Sequence, residues 1–367
     1  MTIPSIIKNS IPKEIPAPPS PEFLNDIAQY RAHLIDQGLP VIYSVHHLGL
    51  ISKFNINNMI HLCNMPRDGF YKRFKMKKKK GGYRVIQTPS SELKYLQRWI
   101  LKNILENRPS HECCKGFDLK ASIKNNAESH LNKEAILKID FLRFFDSINE
   151  KQIYRIFKGM GYHGNVAFAL AKICSVVPDK MFFKSFKKNE KHLKKVVLEH
   201  DGGILPQGAP TSPKLSNLFC LSLDHRLTLL ASKNNLSYTR YADDLTFSGD
   251  YETLISVKKT IYKIIKDEKL FVNMGKTKIL KRGSLFFVTG LSVNNKKVTI
   301  PRKKKKDIEH HLHHCIKNGV ENHMQKSNIT NRNFKDWLFG NIAFVYSVEK
   351  ELGAEYFKIF GSIQWPI

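Results

Sequence analysis

Apolar positions along this chain repeat with two periods, and the switches between them mark out its elements. Phe23, Ile27, Tyr30 and Leu34 recur at helical spacing, after Pro21 and before Gly38, which predicts a helix from about Glu22 to Gln37. Further helices are predicted within 46–64. Around 72–86 the pattern changes. A basic tract from Lys72 to Lys80 runs into Gly81-Gly82, and Tyr83 and Val85 then alternate, as in a hairpin with a cationic tip and flanks. Leu93, Leu96, Ile100 and Ile104 restore the helical stripe. Residues 135–140, Ala-Ile-Leu-Lys-Ile-Asp, form an apolar strand that ends in an acid, and 151–177 reads as two helices. The basic segment 181–195, with Phe182, Phe183 and Phe186, reads as a hairpin or loop insertion. A Gly/Pro-dense loop, Gly202 to Pro213, feeds a helix with Leu215, Leu218, Phe219, Leu223 and Leu227 on its apolar face.

A second hairpin follows. Its strands, Leu236–Tyr241 and Leu245–Ser248, are rich in aromatic and β-branched residues, and its tight turn carries Asp243 and Asp244. A helix over 251–268 and strand-like runs over 272–279 and 284–291 come next, and from Arg302 the chain reads as helical. The first 21 residues hold Pro4, Pro12, Pro16, Pro18, Pro19 and Pro21, too many for a helix or central strand, so an extended arm is expected there.

Charge narrows the class of partner. Lys and Arg number 60 against 32 Asp and Glu, a net charge of +28, which favours a polyanion bound in a salt-dependent way. An anionic membrane is the competing partner, but no long apolar run, signal peptide or lipidation signature is present, and the basic residues are spread along the chain. Nucleic acid is the expected partner. None of the six cysteines forms a CxxC pair, so reduced, buried thiols of a cytoplasmic protein are expected. His310, His311, His313, His314 and Cys315 lie a turn apart and invite a zinc reading. No second pair completes a ligand set, and a basic helix facing nucleic acid is the expectation.

The candidate chemistry lies in acids placed where acids are costly. Two adjacent carboxylates on a tight turn repel each other, and Asp140 ends a buried strand; a hard divalent cation would relieve both. A solvated turn and a helix cap are the plainer readings of the same residues. A sheet could bring Asp140, Asp243 and Asp244 together, as in-line phosphoryl transfer on two metals roughly 3.5–4 Å apart requires. No GxxxxGK[ST] loop is present, so a nucleotide would be held by metals and basic side chains.

The order of motifs resembles the reverse transcriptases: an Arg-bearing basic hairpin, Ile139-Asp140 with Phe144-Phe145, Leu205-Pro206-Gln207-Gly208-Ala209-Pro210-Thr211-Ser212-Pro213, Tyr241-Ala242-Asp243-Asp244 and Gly275-Lys276-Thr277. The resemblance runs from about residue 70 to about 300. It implies an α+β right-hand polymerase fold: a Pro-rich arm over 1–21, N-terminal helices and fingers over 22–134, a palm with an antiparallel sheet over 135–300, and a helical thumb over 301–367. The palm would carry finger helices and a basic insertion around 151–200. It also implies roles. Asp140, Asp243 and Asp244 would bind two Mg²⁺ ions with the carbonyl of Phe141, and Lys276 would protonate the leaving pyrophosphate. Arg84 and a nearby lysine, Lys80, would contact the dNTP triphosphate, and Gln207 would pack on the incoming nucleotide. Phe145 would be an aromatic gate that refuses a ribose 2′-hydroxyl.

Two shorter stretches, Asn126-Ala127-Glu128-Ser129-His130 and Val288-Thr289-Gly290, resemble elements of the bacterial retron reverse transcriptases. That resemblance implies a cognate structured non-coding RNA as template and primer, and a DNA copy started from an RNA 2′-hydroxyl to give a branched hybrid (msDNA). It further implies RNA contacts at Asn126, His130, Val288, Thr289 and Gly290, and a role in anti-phage defence with a separate effector protein. Two other readings stay open: another bacterial reverse transcriptase, group II intron-like or diversity-generating, and a nucleic-acid-binding scaffold that restrains a toxic effector.

Overall fold

The Ser20 hydroxyl accepts the Phe23 N–H and so caps the first helix, α1 (Pro21–Asp36), which starts on the proline itself, one residue before its expected span. The structure, a computed structural model, describes residues 20–64, 67–77, 83–118, 121–187, 190–199 and 202–366. The proline-rich arm therefore lies almost wholly outside the described residues, as do Lys80 and the Gly81-Gly82 turn. Two helices, α2 (Val45–Ile51) and α3 (Ile56–Asn64), precede an antiparallel hairpin of β1 (Tyr71–Lys77) and β2 (Tyr83–Pro89) in which Met76 faces Arg84. Helix α4 (Ser91–Ile100) buries Leu93, Leu96 and Ile100 and runs into a π-helical turn at Leu101–Leu105. A short helix, α5 (Ile123–Glu128), leads to the central sheet.

That sheet has four antiparallel strands in the order β4 (Ser237–Tyr241), β5 (Asp244–Gly249), β3 (Ala135–Asp140) and β6 (Lys278–Lys281). Because side chains alternate along a strand, each strand divides its residues between two faces. Ala135, Leu137, Ile139, Leu245, Phe247 and Tyr238 join the main core. It is completed by α6 (Glu150–Gly159), α7 (Gly164–Ile173), α10 (Ser212–Phe219), α11 (Leu221–Lys233) and α12 (Tyr251–Asp267). The single apolar stripe of 215–227 is thus carried by two helices that meet at Cys220. The segment expected as a hairpin or loop around 181–195 is instead helical, as α8 (Lys180–Phe183) and α9 (Lys191–Glu199), because Phe182, Leu193 and Val197 all find buried places under it.

The second face of β3 belongs to a second core. Ile136 and Ala127 pack there with Phe286, Val288 of β7 (Phe287–Val288), Leu291 of β8 (Leu291–Ser292), Val293, Val298 and Ile300. The remaining side chains come from α13 (Arg302–Asn318), α14 (Val320–Lys326), α15 (Phe334–Val348) and α16 (Lys350–Gly361), and from Ile363 just beyond it. A division at residue 300 would cut through this core, so the C-terminal helices share a packing unit with 286–300. All six cysteines are free and buried. Among the described residues no helix is long and apolar enough to cross a membrane.

Candidate active site

Asp140 is the last residue of β3, and the sheet register sets it opposite Asp244, the first residue of β5. Asp243 fills the two-residue turn between β4 and β5, next to Ala242. The three acids that are far apart in sequence therefore meet at one end of the central sheet. The Phe141 N–H donates to the Asp243 carbonyl at 3.0 Å, which ties the exit of β3 to the turn. Ala242 takes φ 58, a left-handed step that hairpin turns of this length require at one or both central positions.

That step is held from below. Arg240 is fully buried, and its guanidinium donates to both oxygens of Asp224 on α11, the shortest contact being 2.6 Å. Its Nη1 also donates to the Ala242 carbonyl at 3.1 Å and to Asn217 Oδ1 at 3.2 Å. Asn217 in turn donates to the Gly116 carbonyl at 2.9 Å. The 113–116 segment is laced to β4 by Arg240 N–H to Cys113 carbonyl and Lys115 N–H to Arg240 carbonyl bonds. In the sequence Arg240 is one basic residue among 60. Its inward register beside Tyr238 was the available signal, because an inward charge needs a buried counter-charge.

The electrostatics are those of crowded acids. Burial and the neighbouring charges of Asp244 and Asp140 push the Asp243 carboxyl up to about 6; burial and Asp140 raise Asp244 as well. Asp140 is relieved by cations and donors from the segment after α12: Lys276 Nζ lies 2.7 and 2.9 Å from its two oxygens, and Asn273 Nδ2 donates at 3.0 Å. Among the described residues no three acidic, histidine or cysteine side chains stand assembled as a metal cage. The donor set nevertheless fits a hard divalent cation: carboxylate oxygens, crowded enough to raise two of the three acids, at a strand end where a positive charge would remove the repulsion.

Arg84 is exposed on β2, and Lys80 lies outside the described residues. The Gln87 N–H donates to the Gln207 carbonyl at 2.8 Å, so the Gly/Pro loop is docked on β2 main chain to main chain. Gly208 (φ 132) permits that approach, since a Cβ there would meet the Gln87 carbonyl oxygen at 3.0 Å. The far side of the loop rests on Glu150, whose Oε2 lies 2.7 Å from Arg67 Nη1 and accepts from Ser175 Oγ at 2.6 Å. A Cβ on Gly203 would lie 2.6 Å from that same Ser175 Oγ. Phe144 is buried, whereas Phe145 is half-buried, its ring 6.4 Å from that of Phe117. Phe117, a partner the sequence did not suggest, is 43% exposed.

Of the residues expected to contact RNA, Asn126, His130 and Val288 are buried. His130 is fully buried, with Nδ1 2.6 Å from Ser248 Oγ and Nε2 2.7 Å from Thr239 Oγ1. Asn126 is also buried and donates weakly to Thr289 Oγ1 at 3.4 Å; Val288 is in the second core. These side chains join α5 and the sheet to the C-terminal unit, whereas Thr289 is partly and Gly290 wholly exposed. The histidine-rich helix α13 is likewise turned inward in part: His311 Nδ1 lies 2.9 Å from His323 Nε2, and His323 is buried.

The family profile for "Reverse transcriptase (RNA-dependent DNA polymerase)" matches residues 76–336. The "Retron Ec86 reverse transcriptase" of Escherichia coli is 34% identical over 311 residues, covering 83% of this chain and 88% of that protein. This chain belongs to the retron reverse transcriptases. The "Retron Mx65 reverse transcriptase" of Myxococcus xanthus is 32% identical over 277 residues, 74% of this chain and 63% of that one. A distant likeness also extends to the solved structure of telomerase from Candida albicans, with a TM-score of 0.41 and 13% identity over 80% of this chain and 56% of that chain. A retron reverse transcriptase is an RNA-directed DNA polymerase with the right-hand fold, and enzymes of this family use divalent metal ions.

Proposed function

We propose that this reverse transcriptase copies part of a cognate structured non-coding RNA into DNA, beginning from a 2′-hydroxyl of that RNA and leaving a branched RNA–DNA hybrid. The observation that carries the catalytic half is the register that sets Asp140 opposite Asp244, with Asp243 in the adjoining turn. Asp140, Asp243, Asp244 and the Phe141 carbonyl would hold two Mg²⁺ ions. When bound, these would supply Lewis-acid stabilisation of the attacking and leaving oxygens. Lys276, now on Asp140, is within reach of the same point and would deliver a proton to the departing pyrophosphate. Arg84 and Lys80 would steady the triphosphate, and the docked loop around Gln207 would form the wall beside the incoming base. The half-buried Phe145 ring would refuse a ribose 2′-hydroxyl. Fingers would comprise the described residues before β3, and the thumb would comprise α13–α16 with the 286–300 segment packed beneath them.

The retron half is supported by likeness to named retron enzymes over most of the chain. The product would act in anti-phage defence with a separate effector protein, in the cytoplasm. Sequencing the nucleic acid that copurifies with the protein tests the priming: a short DNA joined to RNA through a 2′,5′ branch is expected, and DNA carrying an ordinary 3′,5′ start would overturn it. Asp243→Asn with Asp244→Asn should abolish extension on the cognate RNA while RNA binding persists. Extension at the wild-type rate would remove the assignment of the acids.

A further inference from the structure

Between Asp140 and Phe145 the chain makes one left-handed step, at Arg143 (φ 48). A residue with a Cβ stays in that region only when its surroundings over-determine it. Here the surroundings are the insertion formed by α8 and α9. Arg143 Nε donates to Glu190 Oε2 at 3.1 Å, and Nη2 donates to the carbonyl of Ser185 at 3.0 Å and to its hydroxyl at 2.5 Å. The guanidinium also lies 3.8 Å from the centroid of the Phe186 ring. Nη1 turns back to Asp146 Oδ2 at 2.8 Å. Glu190 is itself buried and accepts the Lys187 N–H at 3.0 Å, so this is a built joint and not a passing surface pair.

The joint brackets Phe145. Arg143 stands two residues before it and Asp146 one after it; the two are pinned to each other, and Arg143 is pinned to the insertion. The half-buried ring packs against the edge of the main core. It leans on Phe144 and on Phe117, and Phe117 is 43% exposed. A ring that excludes a single hydroxyl has to be placed closely, because small displacements at a reacting centre change rates steeply.

We propose that Arg143 is a positioning residue that locks the 143–146 turn to the α8–α9 insertion, so that the docked insertion sets where Phe145 stands and how strictly ribonucleotides are refused. The proposal rests on the reading of Phe145 as the sugar gate. The insertion, for which the sequence suggested no role, is then part of substrate selection without touching substrate. Lysine cannot substitute for Arg143, since an ammonium lacks the planar fork that reaches Glu190, Ser185 and Asp146 together.

Single-nucleotide primer extension gives the test, read as kcat/KM for a dNTP divided by kcat/KM for the matching rNTP. Arg143→Gly removes the clamp while suiting the left-handed backbone, and Glu190→Gln weakens it from the insertion side. Both should lower the ratio, Arg143→Gly by about tenfold, equivalent to about 1.4 kcal/mol. Arg143→Lys should not restore it. In a Phe145→Ala background, where the ratio has already collapsed, Arg143→Gly should lower it no further. A general loss of stability would reduce the active fraction for both sugars alike and leave the ratio unmoved. An unchanged ratio in Arg143→Gly and Glu190→Gln beside a collapsed one in Phe145→Ala overturns the clamp and spares the gate. An unchanged ratio in Phe145→Ala removes the gate and this proposal with it. Should Arg143→Gly fail to fold, Glu190→Gln decides by the same ratio.

Discussion

Asp224 accepts four hydrogen bonds from Arg240 and Tyr238, and both charges of the pair are fully buried. Removing one member leaves the other without compensation in a dry interior, which costs about 3–5 kcal/mol. Asp224→Asn should therefore lower stability by roughly that amount in urea denaturation, and a loss below about 1 kcal/mol would mean the pair is solvated or replaceable. Replacing both, Asp224→Leu with Arg240→Met, should recover much of the stability. It should not recover DNA synthesis, because nothing would then hold the Ala242 carbonyl under the turn. The three site acids were legible in the sequence because each breaks a local rule: one ends an apolar strand and two crowd a tight turn. Asp224 was not, since an acid in the first turn of a helix is ordinarily a favourable surface residue, and its partner is brought to it only by the packing of α11 on β4.

Elements with one strong period were legible too: β3 begins and ends where its apolar run does, and α12 differs by a residue from its expected span. The 181–195 insertion was misjudged because its short helices carry few residues each, and periodicity needs length to show. The 126–130 stretch shows the opposite difficulty. Its polar residues look like surface ligands, but the second face of the sheet offers Thr239 and Ser248, and His130 fits between their hydroxyls. Burial, with a smaller push from Lys133 and Lys138, drives the His130 pKa down to about 3. A histidine depressed in the folded state contributes stability that is fully present above its unfolded pKa, about 6.5, and is lost as pH falls toward about 3. Stability should thus fall by about 1.4 kcal/mol per pH unit from this group below pH 6.5. His130→Gln should start lower at pH 7 and show a shallower decline in urea midpoints between pH 7 and 5. Parallel declines would assign the acid sensitivity to other groups.

At the scale of the molecule, a net charge of +28 sets how the enzyme meets RNA. If six to ten phosphates are contacted, affinity should drop by about 10³–10⁵ between about 50 and 200 mM monovalent salt. A nearly flat dependence, measured by filter binding of the cognate RNA, would show that the surplus lies away from the nucleic acid. Part of it already does. In the Arg302–Lys306 tract, Lys305 pairs with Glu349 at 2.7 Å, and Lys304 donates to Asn341 at 2.8 Å, so these two brace their own helices while Arg302, Lys303 and Lys306 face outward. Counting charge along the sequence established the class of partner but could not separate braces from contacts, because that depends on which helices meet.

Strand β3 divides its side chains between two cores, with Leu137 and Ile139 on one side and Ile136 on the other. The core that includes Ile136 draws on residues as late as Tyr356 and Ile363. A nascent chain emerging from the ribosome would have all three acids outside the exit tunnel well before that core is complete. Until α16 arrives, the second core beside the strand bearing Asp140 lacks part of its apolar side chains. A chain cut short before α16 would leave part of that core unfilled and be inclined to aggregate.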